Sequence, residues 1–219
     1  MFDVVVFASG RGSNFAALLD AQRAGAPFAV RALLSDKPAA PALDIARTAG
    51  VEAIALSPRD FPDRAAFDRA LFGRAAQFAP DLVVLAGYMR VIDTAVVESW
   101  HGRMINIHPS LLPKYPGLRT HARALDAGDA LHGSSVHYVT AELDGGPVIA
   151  QATLAVAPGD TPETLAARLL PLEHRLLAAT VELIARGRVQ LGAEGVVLDG
   201  KRLTDPLSLE SCRAATNTL

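Results

Sequence analysis

The sequence opens with MFDVVVFASGRGSNFAALLDAQRAGAPFAVRALL at residues 1–34, and this stretch decides the fold class. Val4 to Phe7 is a short apolar run rich in β-branched residues, which is typical of a parallel strand buried on both faces. Ser13 to Ala24 predicts an amphipathic helix that ends at Gly25, and Phe28 to Leu34 predicts a second strand. A strand, a helix and a strand in this order predict a right-handed crossover in a parallel sheet.

The alternation of strands and helices continues along the chain. The sequence predicts further helices over Pro41–Ala49, Pro62–Phe78 and Thr161–Arg186, and further strands over Val51–Leu56, Leu82–Leu85, Met104–Ile107, Ser134–Val139 and Val148–Val156. The last helix takes Thr161 or Asp160 as its N-cap, and Asp199-Gly200 predicts a hairpin turn. We therefore expect an α/β fold: an open, mostly parallel twisted sheet with helices on both faces.

Composition favours a single folded domain over residues 1–219. Half of the residues are hydrophobic and 20% are charged, which excludes a disordered chain. No linker, repeat or low-complexity segment interrupts the pattern. Within the domain we distinguish a mononucleotide-type first half at 1–100, a second half at 101–188, and a C-terminal hairpin and tail at 189–219.

Charge and cysteine content exclude several classes of protein. The net charge is −2, whereas nucleic-acid binders carry an excess of Lys and Arg. No stretch reaches the roughly 18 apolar residues of a membrane span. A single cysteine, Cys212, forms neither an internal disulfide nor a Cys-rich zinc site. We expect a cytoplasmic protein that binds neither nucleic acid nor membrane, while its oligomeric state stays open.

A glycine-containing loop joins the first strand to the first helix. Glycines let the backbone approach a ligand, and a helix N-terminus favours an anion, so Gly12, Ser13 and Asn14 form a candidate phosphate site. The alternative is an ordinary tight turn capped by Ser13. Phe15 stands where a dinucleotide fingerprint has its third glycine, which favours a monophosphate over NAD.

Three polar residues stand near the middle of the chain. Asn106 and His108 are two residues apart in a predicted strand, so both side chains point to the same face. Asp144 lies in the turn Leu143–Pro147. The alternatives are a structural histidine and an ordinary turn aspartate, and the sequence alone does not bring the two together. The six histidines show no metal-ligand spacing, so we expect no metal.

Glu173 lies within the apolar sector of the predicted helix 161–186. A carboxylate in that position needs a cationic or hydrogen-bonding partner. A ligand amine is one candidate, and a neighbouring Arg or His is the other.

Six stretches together resemble the folate-dependent formyltransferases, and among them the phosphoribosylglycinamide formyltransferases. They are SGRGSN at 9–14, PDLVVLAGYMRVI at 80–92, INIHPSLLPKYPGL at 105–118, HGSSVHYV at 132–139, ELDGGPVIAQ at 142–151 and LEH at 172–174. They occur in the family's order and cover nearly the whole chain. The resemblance implies a Rossmann-like formyltransferase fold, with the phosphate loop in 1–100 and the catalytic and folate segments in 101–188.

The resemblance also implies roles for individual residues. It makes Asn106, His108 and Asp144 catalytic, assigns Gly12, Ser13 and Asn14 to the substrate phosphate, and assigns Glu173 to substrate binding. The implied folate site comprises Arg64, Met89, Arg90, Val91, Ile92, Asn106, Thr140, Ala141, Glu142, Leu143 and Asp144. The chain departs from the family pattern at Asp36, Ala141 and Leu172.

The implied reaction transfers the formyl group of 10-formyltetrahydrofolate, a co-substrate, to the amine of glycinamide ribonucleotide in purine biosynthesis, without a metal. Asn106 and a protonated His108 would stabilise the developing oxyanion, and Asp144 would keep His108 protonated. A formyltetrahydrofolate hydrolase is the nearest alternative, followed by a non-catalytic nucleotide-binding module.

Overall fold

The computed structural model describes residues 1–216 and divides the chain into two compact units. The first unit is Met1–Asn106 together with Val139–Ala141, and the second is Ile107–Tyr138 together with the chain from Glu142 onward. One domain over residues 1–219 stays a prediction. The last three residues of the predicted tail lie outside the described residues.

The first unit is an α/β layer with a fully parallel sheet, as predicted. Its strands are β1 (Phe2–Phe7), β2 (Phe28–Ser35), β3 (Glu52–Ala55), β4 (Leu82–Leu85) and β5 (Met104–His108), and its helices are α1 (Ser13–Arg23), α2 (Pro41–Thr48), α3 (Arg64–Ala76) and α4 (Thr94–Ser99). Within this unit the strand order is β5-β4-β1-β2-β3, and each neighbouring pair is parallel. The last two residues of β5 belong to the second unit.

Aromatic side chains fill the core of the first unit. Phe7 on β1 stacks on Phe72 of α3 with ring centroids 4.5 Å apart, and Tyr88 meets Phe7 edge-on at 5.5 Å. Val4 to Phe7 are fully buried, because strands covered on both faces take continuous apolar runs. Phe15, which stands where a dinucleotide-binding fingerprint has its third glycine, is also fully buried.

The second unit contains an antiparallel pair, a long helix and a small separate sheet. Its elements are α5 (Thr120–Asp126), β6 (Leu131–Tyr138), β7 (Val148–Ala155), α6 (Pro162–Ala185), β8 (Val189–Gly192), β9 (Gly195–Leu198), β10 (Lys201–Arg202), β11 (Leu207–Ser208) and α7 (Leu209–Thr216). Strand β7 pairs antiparallel with β6 and parallel with β11. Strands β8, β9 and β10 form the small antiparallel sheet.

The predicted turn at Asp199-Gly200 joins β9 to β10. Both residues have positive φ, 51° and 78°, as a two-residue hairpin turn of this type requires. Helix α6 begins with a capping box between Thr161 and Thr164, which confirms Thr161 as the N-cap. The helix continues through Pro171, whose side chain is exposed.

Sequence analysis did not predict several of the shortest elements. Helices α4 and α5 have six and seven residues, and β11 has two. Two turns of helix are too short to show a clear apolar period, so these elements depend on the tertiary contacts that surround them.

A histidine pair, buried His132 and half-buried His121, joins β6 to α5. His132 is 1% exposed, and its Nε2 lies 2.9 Å from Nδ1 of His121. Burial, and after it the neighbouring His121, lower the pKa of His132 to about 4 against an opposing effect of Asp129. The folded chain therefore holds His132 neutral at pH values where the unfolded chain protonates it.

This pair predicts an acid-sensitive fold. The stability that comes from neutral His132 is complete above pH 6.5 and is lost as the pH falls toward 4, so we expect the free energy of unfolding to drop by about 2 kcal/mol between pH 7 and pH 5. Urea unfolding at the two pH values measures the drop. A His132→Gln variant should lose this share of the pH dependence, whereas the exposed His101→Gln should retain it. Equal stability of the wild-type chain at both pH values would contradict the prediction.

Candidate functional site

The loop after β1 is held in place by its first residue. The Ser9 hydroxyl donates a hydrogen bond to Asp36 Oδ1 at 2.5 Å and accepts one from the Met89 amide at 2.9 Å. Asp36, one of the departures from the family pattern, is therefore a buried anchor of this loop. Within the first unit, Ser9 links the candidate phosphate loop to Met89, the first residue of the implied folate segment 89–92.

Gly12, rather than Ser13, is the N-cap of α1. Its φ is +79°, and it has no side chain to offer to the amides of the first turn. Ser13 and Asn14 are the first two residues of the helix, so their backbone amides lie at its positive end. The capped-turn alternative predicted a serine cap and is wrong on that point. The arrangement favours an anion at this end of α1.

Packing at Gly12 predicts a sharp cost for any side chain. A Cβ at this position would lie 2.6 Å from Cβ of Ala42 and would also need a left-handed backbone. We expect Gly12→Ala to lower the free energy of unfolding by about 1–3 kcal/mol. Urea titration measures the change, and Gly10→Ala is the matched control because no atom lies within 4 Å of its Cβ. Equal stability of the two variants would refute the packing argument.

Helix α3 organises the implied folate segment. Asp68, fully buried on α3, accepts a hydrogen bond from the Asp93 amide at 2.8 Å, and the Arg90 guanidinium lies 5.1 Å above the Phe67 ring. Burial raises the pKa of Asp68. Met89 and Val91 expose 65% and 53% of their surface, and Ile92 is buried. The segment is thus fixed from one side and presents apolar side chains to solvent.

His108 lies at the end of β5 and is 6% exposed. Its Nε2 lies 2.9 Å from the Tyr115 carbonyl, and its Nδ1 lies 3.4 Å from Oδ2 of Asp144. The Tyr115 carbonyl and the Asp144 carboxylate both only accept hydrogen bonds, and the carbonyl is the nearer of the two, so we place the proton of a neutral imidazole on Nε2. Nδ1 then faces the carboxylate and gains a favourable contact when the ring takes up a second proton.

Asp144 adopts a left-handed backbone with φ of 51°, which aspartate tolerates better than most residues. Its Oδ2 accepts a hydrogen bond from the Gly117 amide at 2.8 Å, and its Oδ1 lies 3.7 Å from Nε2 of His137. Burial by itself raises the pKa of Asp144, but His137, the Gly117 amide and His108 together hold it below its ordinary value. The structure therefore brings together two residues, His108 and Asp144, that the sequence could not connect.

The Asp144 carboxylate favours a protonated His108, as expected, but burial of the ring acts in the opposite direction. Burial lowers the pKa of His108 below its ordinary value, and His137 and Arg123 add to this effect. The Tyr115 carbonyl and the Asp144 carboxylate raise the pKa but do not reverse the shift. The net effect is that His108 in the ligand-free protein holds a proton less readily than an exposed histidine does.

Sequence analysis missed two neighbours of this pair, His137 and the Tyr115 carbonyl. His137 is buried on β6, one strand position from Tyr138, whose carbonyl lies 2.9 Å from its Nδ1. Its place in HGSSVHYV was the only available signal. The carbonyl of Tyr115 carries no sequence signal, because every residue has one.

The remaining predicted residues lie in both units. Asn106 is the last residue of the first unit on β5, and the first unit also holds Arg64, Thr140 and Ala141. Glu142 and Leu143 belong to the second unit with Asp144, and Leu143 is 56% exposed. Glu173 is half-buried on α6, where Leu165, Leu169 and Leu176 form the buried stripe.

Two kinds of feature are absent from residues 1–216. No three His, Cys, Asp or Glu side chains in this part of the chain are grouped so that they could hold a metal ion. None of its helices is long and apolar enough to cross a membrane.

The chain is similar to known proteins in both sequence and fold. The chain matches the formyl transferase family over residues 2–181. It is 46% identical over 202 residues to phosphoribosylglycinamide formyltransferase of Escherichia coli (strain K12), covering 92% of this chain and 95% of that protein. The solved structure of phosphoribosylglycinamide formyltransferase from Coxiella burnetii has a TM-score of 0.91 at 43% identity, covering 94% of this chain and 98% of that one. A formyltetrahydrofolate deformylase from Pseudomonas putida KT2440 is less similar, with a TM-score of 0.79 at 31% identity and coverage of 90% and 69%.

Proposed function

This chain belongs to the formyl transferase family, and within it to the phosphoribosylglycinamide formyltransferases, so we propose that it transfers the formyl group of 10-formyltetrahydrofolate to the amine of glycinamide ribonucleotide. The products are formylglycinamide ribonucleotide and tetrahydrofolate. The amine nitrogen bonds to the formyl carbon, the bond from that carbon to the folate nitrogen breaks, and one proton moves from the amine to the folate nitrogen. The activity serves de novo purine biosynthesis.

The contact between His108 and Asp144 is the observation that carries this proposal. An attacking amine must lose a proton, and the neutral His108 ring can accept it. Protonation turns Nδ1 into a donor toward Asp144 at 3.4 Å, while Nε2 keeps its contact with the Tyr115 carbonyl. The pair can therefore hold the proton until the folate nitrogen leaves.

Asn106 supplies the other half of the proposed chemistry. Its side-chain amide can donate a hydrogen bond to the negative oxygen that develops on the formyl group. Such a donor is typically worth about 10²–10³ in rate. It lies two residues before His108 on β5, which is the spacing that places two side chains on one face of a strand.

The remaining assignments concern the binding of the two substrates. We assign the ribonucleotide phosphate to the N-terminus of α1 at Gly12, Ser13 and Asn14, and its amine end to Glu173. We assign the folate to Arg64, to the exposed apolar segment 89–92 and to residues 140–144. An N-terminal helix amide cluster suits a phosphate dianion, and the exposed Met89 and Val91 suit an aromatic ring system.

We further place this reaction in the cytoplasm, between two small molecules, without nucleic acid, membrane or metal as partner. The single cysteine, Cys212, is buried on α7, and burial raises the pKa of its thiol to about 12. A reducing compartment suits a chain that uses no disulfide.

The decisive experiment is an assay with 10-formyltetrahydrofolate, run with and without glycinamide ribonucleotide. We expect tetrahydrofolate to form only when the ribonucleotide is present. Release of formate without the ribonucleotide would favour the hydrolase, to which the Pseudomonas putida structure gives some support. No turnover in either case would contradict both activities and favour the non-catalytic nucleotide-binding module.

A further inference from the structure

The segment 109–119, which connects β5 to α5, supplies the Tyr115 carbonyl that faces His108. The segment has no helix or strand of its own, and Tyr115 and Arg119 both have positive φ, 57° and 59°. A backbone of this kind does not hold its shape by internal hydrogen-bond ladders. Something else must fix the carbonyl 2.9 Å from the imidazole.

The Asp129 carboxylate binds the side chains of Lys114 and Tyr115, in the middle of this segment, and we call this set of hydrogen bonds the clasp. The Lys114 ammonium donates to both of its oxygens, at 2.9 and 3.0 Å, and the Tyr115 hydroxyl donates to Oδ2 at 2.8 Å. Two consecutive residues are thus tied to one anion that lies after α5, outside the segment. The Lys114 and Tyr115 hydrogen bonds also lower the pKa of Asp129, so the carboxylate remains charged at neutral pH.

Asp129 shares the task of fixing the segment with other groups: the Ser110 hydroxyl lies 3.5 Å from the Tyr115 carbonyl, and Arg123 donates to the Pro116 carbonyl at 2.6 Å with its guanidinium 5.1 Å above the Tyr115 ring. The Ser135 hydroxyl accepts a hydrogen bond from the Leu112 amide, and the Gly117 amide binds Asp144. Between these two points, the Ser110 hydroxyl reaches the Lys114 carbonyl, while Asp129 holds the side chains of Lys114 and Tyr115. The titratable and charged groups that interact with His108 are Asp144, His137, Arg123, His121 and His132, and Asp129 is not among them.

We propose that Asp129 is a positioning residue of the active site: by clasping Lys114 and Tyr115, it holds the Tyr115 carbonyl against Nε2 of His108. This role rests on the proposed function, in which His108 carries the transferred proton. A carbonyl at this position accepts a hydrogen bond from the protonated ring and so favours proton uptake. Asp129 acts on the chemistry through Tyr115 and touches no reacting atom.

The test is a titration of His108 in the ligand-free protein by NMR, with its resonance identified by its absence in a His108→Gln variant. We expect Asp129→Ala to lower the pKa of His108 relative to the wild type, because the Tyr115 carbonyl no longer stays in place. We also expect kcat to fall by about 10- to 100-fold, the cost of a small misplacement at a reacting centre. Asp126→Ala, three residues earlier and exposed, removes a charge without removing the clasp, and should change neither quantity.

Two further variants separate positioning from charge and from folding. Tyr115→Phe removes only the hydroxyl contact and should shift His108 in the same direction by less. Asp129→Asn keeps the shape and an acceptor oxygen, so it should restore part of the wild-type titration. If Asp129 had only a structural role, Asp129→Ala and Tyr115→Phe would lower the stability of the protein but leave the pKa of His108 unchanged. That result would overturn the proposal.

The two proposals fail separately. If the protein transfers no formyl group but the titration of His108 shifts as expected, the clasp stands and the proposed function fails. If formyl transfer is normal in Asp129→Ala and the His108 titration matches the wild type, the clasp fails and the proposed function stands.

Discussion

A His108→Gln variant is expected to lose about 10²–10⁴-fold in kcat, because glutamine fills similar space but cannot take and return a proton near neutral pH. The loss should appear in kcat rather than in the KM values for the two substrates, since the ring acts on a proton that moves only during the reaction. Steady-state kinetics with 10-formyltetrahydrofolate and glycinamide ribonucleotide measures both parameters.

The matched control is His101→Gln, which changes an exposed histidine in the turn after α4, only a few residues earlier in the chain. It should keep wild-type kinetics. Circular dichroism and thermal unfolding should show that both variants are folded. Turnover within threefold of wild type in His108→Gln would remove His108 from the proposed proton path.

An Asp144→Asn variant is expected to lose about 10²-fold or more in kcat, and it tests the electrostatic half of the pair. Asparagine tolerates the left-handed backbone at this position as well as aspartate does, so the turn should remain intact. The amide keeps an acceptor for the Gly117 N–H but loses the charge that favours a protonated His108. We expect the pKa of His108 to fall below its value in the wild-type protein.

Both effects can be measured in the same preparation. NMR titration of the ligand-free variant reports the pKa of His108, and steady-state kinetics reports kcat. Asp126→Asn, an exposed position on α5, is the control for loss of one negative charge. Near-normal turnover in Asp144→Asn, or an unchanged His108 titration, would contradict the electrostatic role of Asp144.

The sequence predicted the long elements well. Strands β1, β2 and β4 and helices α1, α2 and α6 lie within two residues of their predicted bounds. The pattern of apolar residues in these elements extends over enough positions to be recognised from the local sequence. Glycines, prolines and Thr161 mark the ends of the elements. The same local logic located the turn at Asp199-Gly200, since a two-residue hairpin turn demands residues that accept positive φ.

The candidate site, like the fold, could be predicted from the sequence only in part. Residue types and motifs identified His108 and Asp144, and the resemblance to the formyltransferases assigned their roles. The sequence did not bring them together, because 36 positions separate them and only the fold sets the 3.4 Å between Nδ1 and Oδ2. The sequence also could not show that the pKa of His108 is lowered, since burial, the largest cause of the shift, is a tertiary quantity.

The amino-acid sequence was therefore enough to predict the parallel α/β plan, the glycine loop at the start of α1 and the candidate acid–base residues. These features follow from local periodicity, backbone freedom and side-chain chemistry. It took the three-dimensional structure to show that burial lowers the pKa of His108, that His137 approaches Asp144, and that Asp129 binds the segment which carries the Tyr115 carbonyl. Distances and desolvation depend on residues that are far apart in the chain, and no local pattern encodes them.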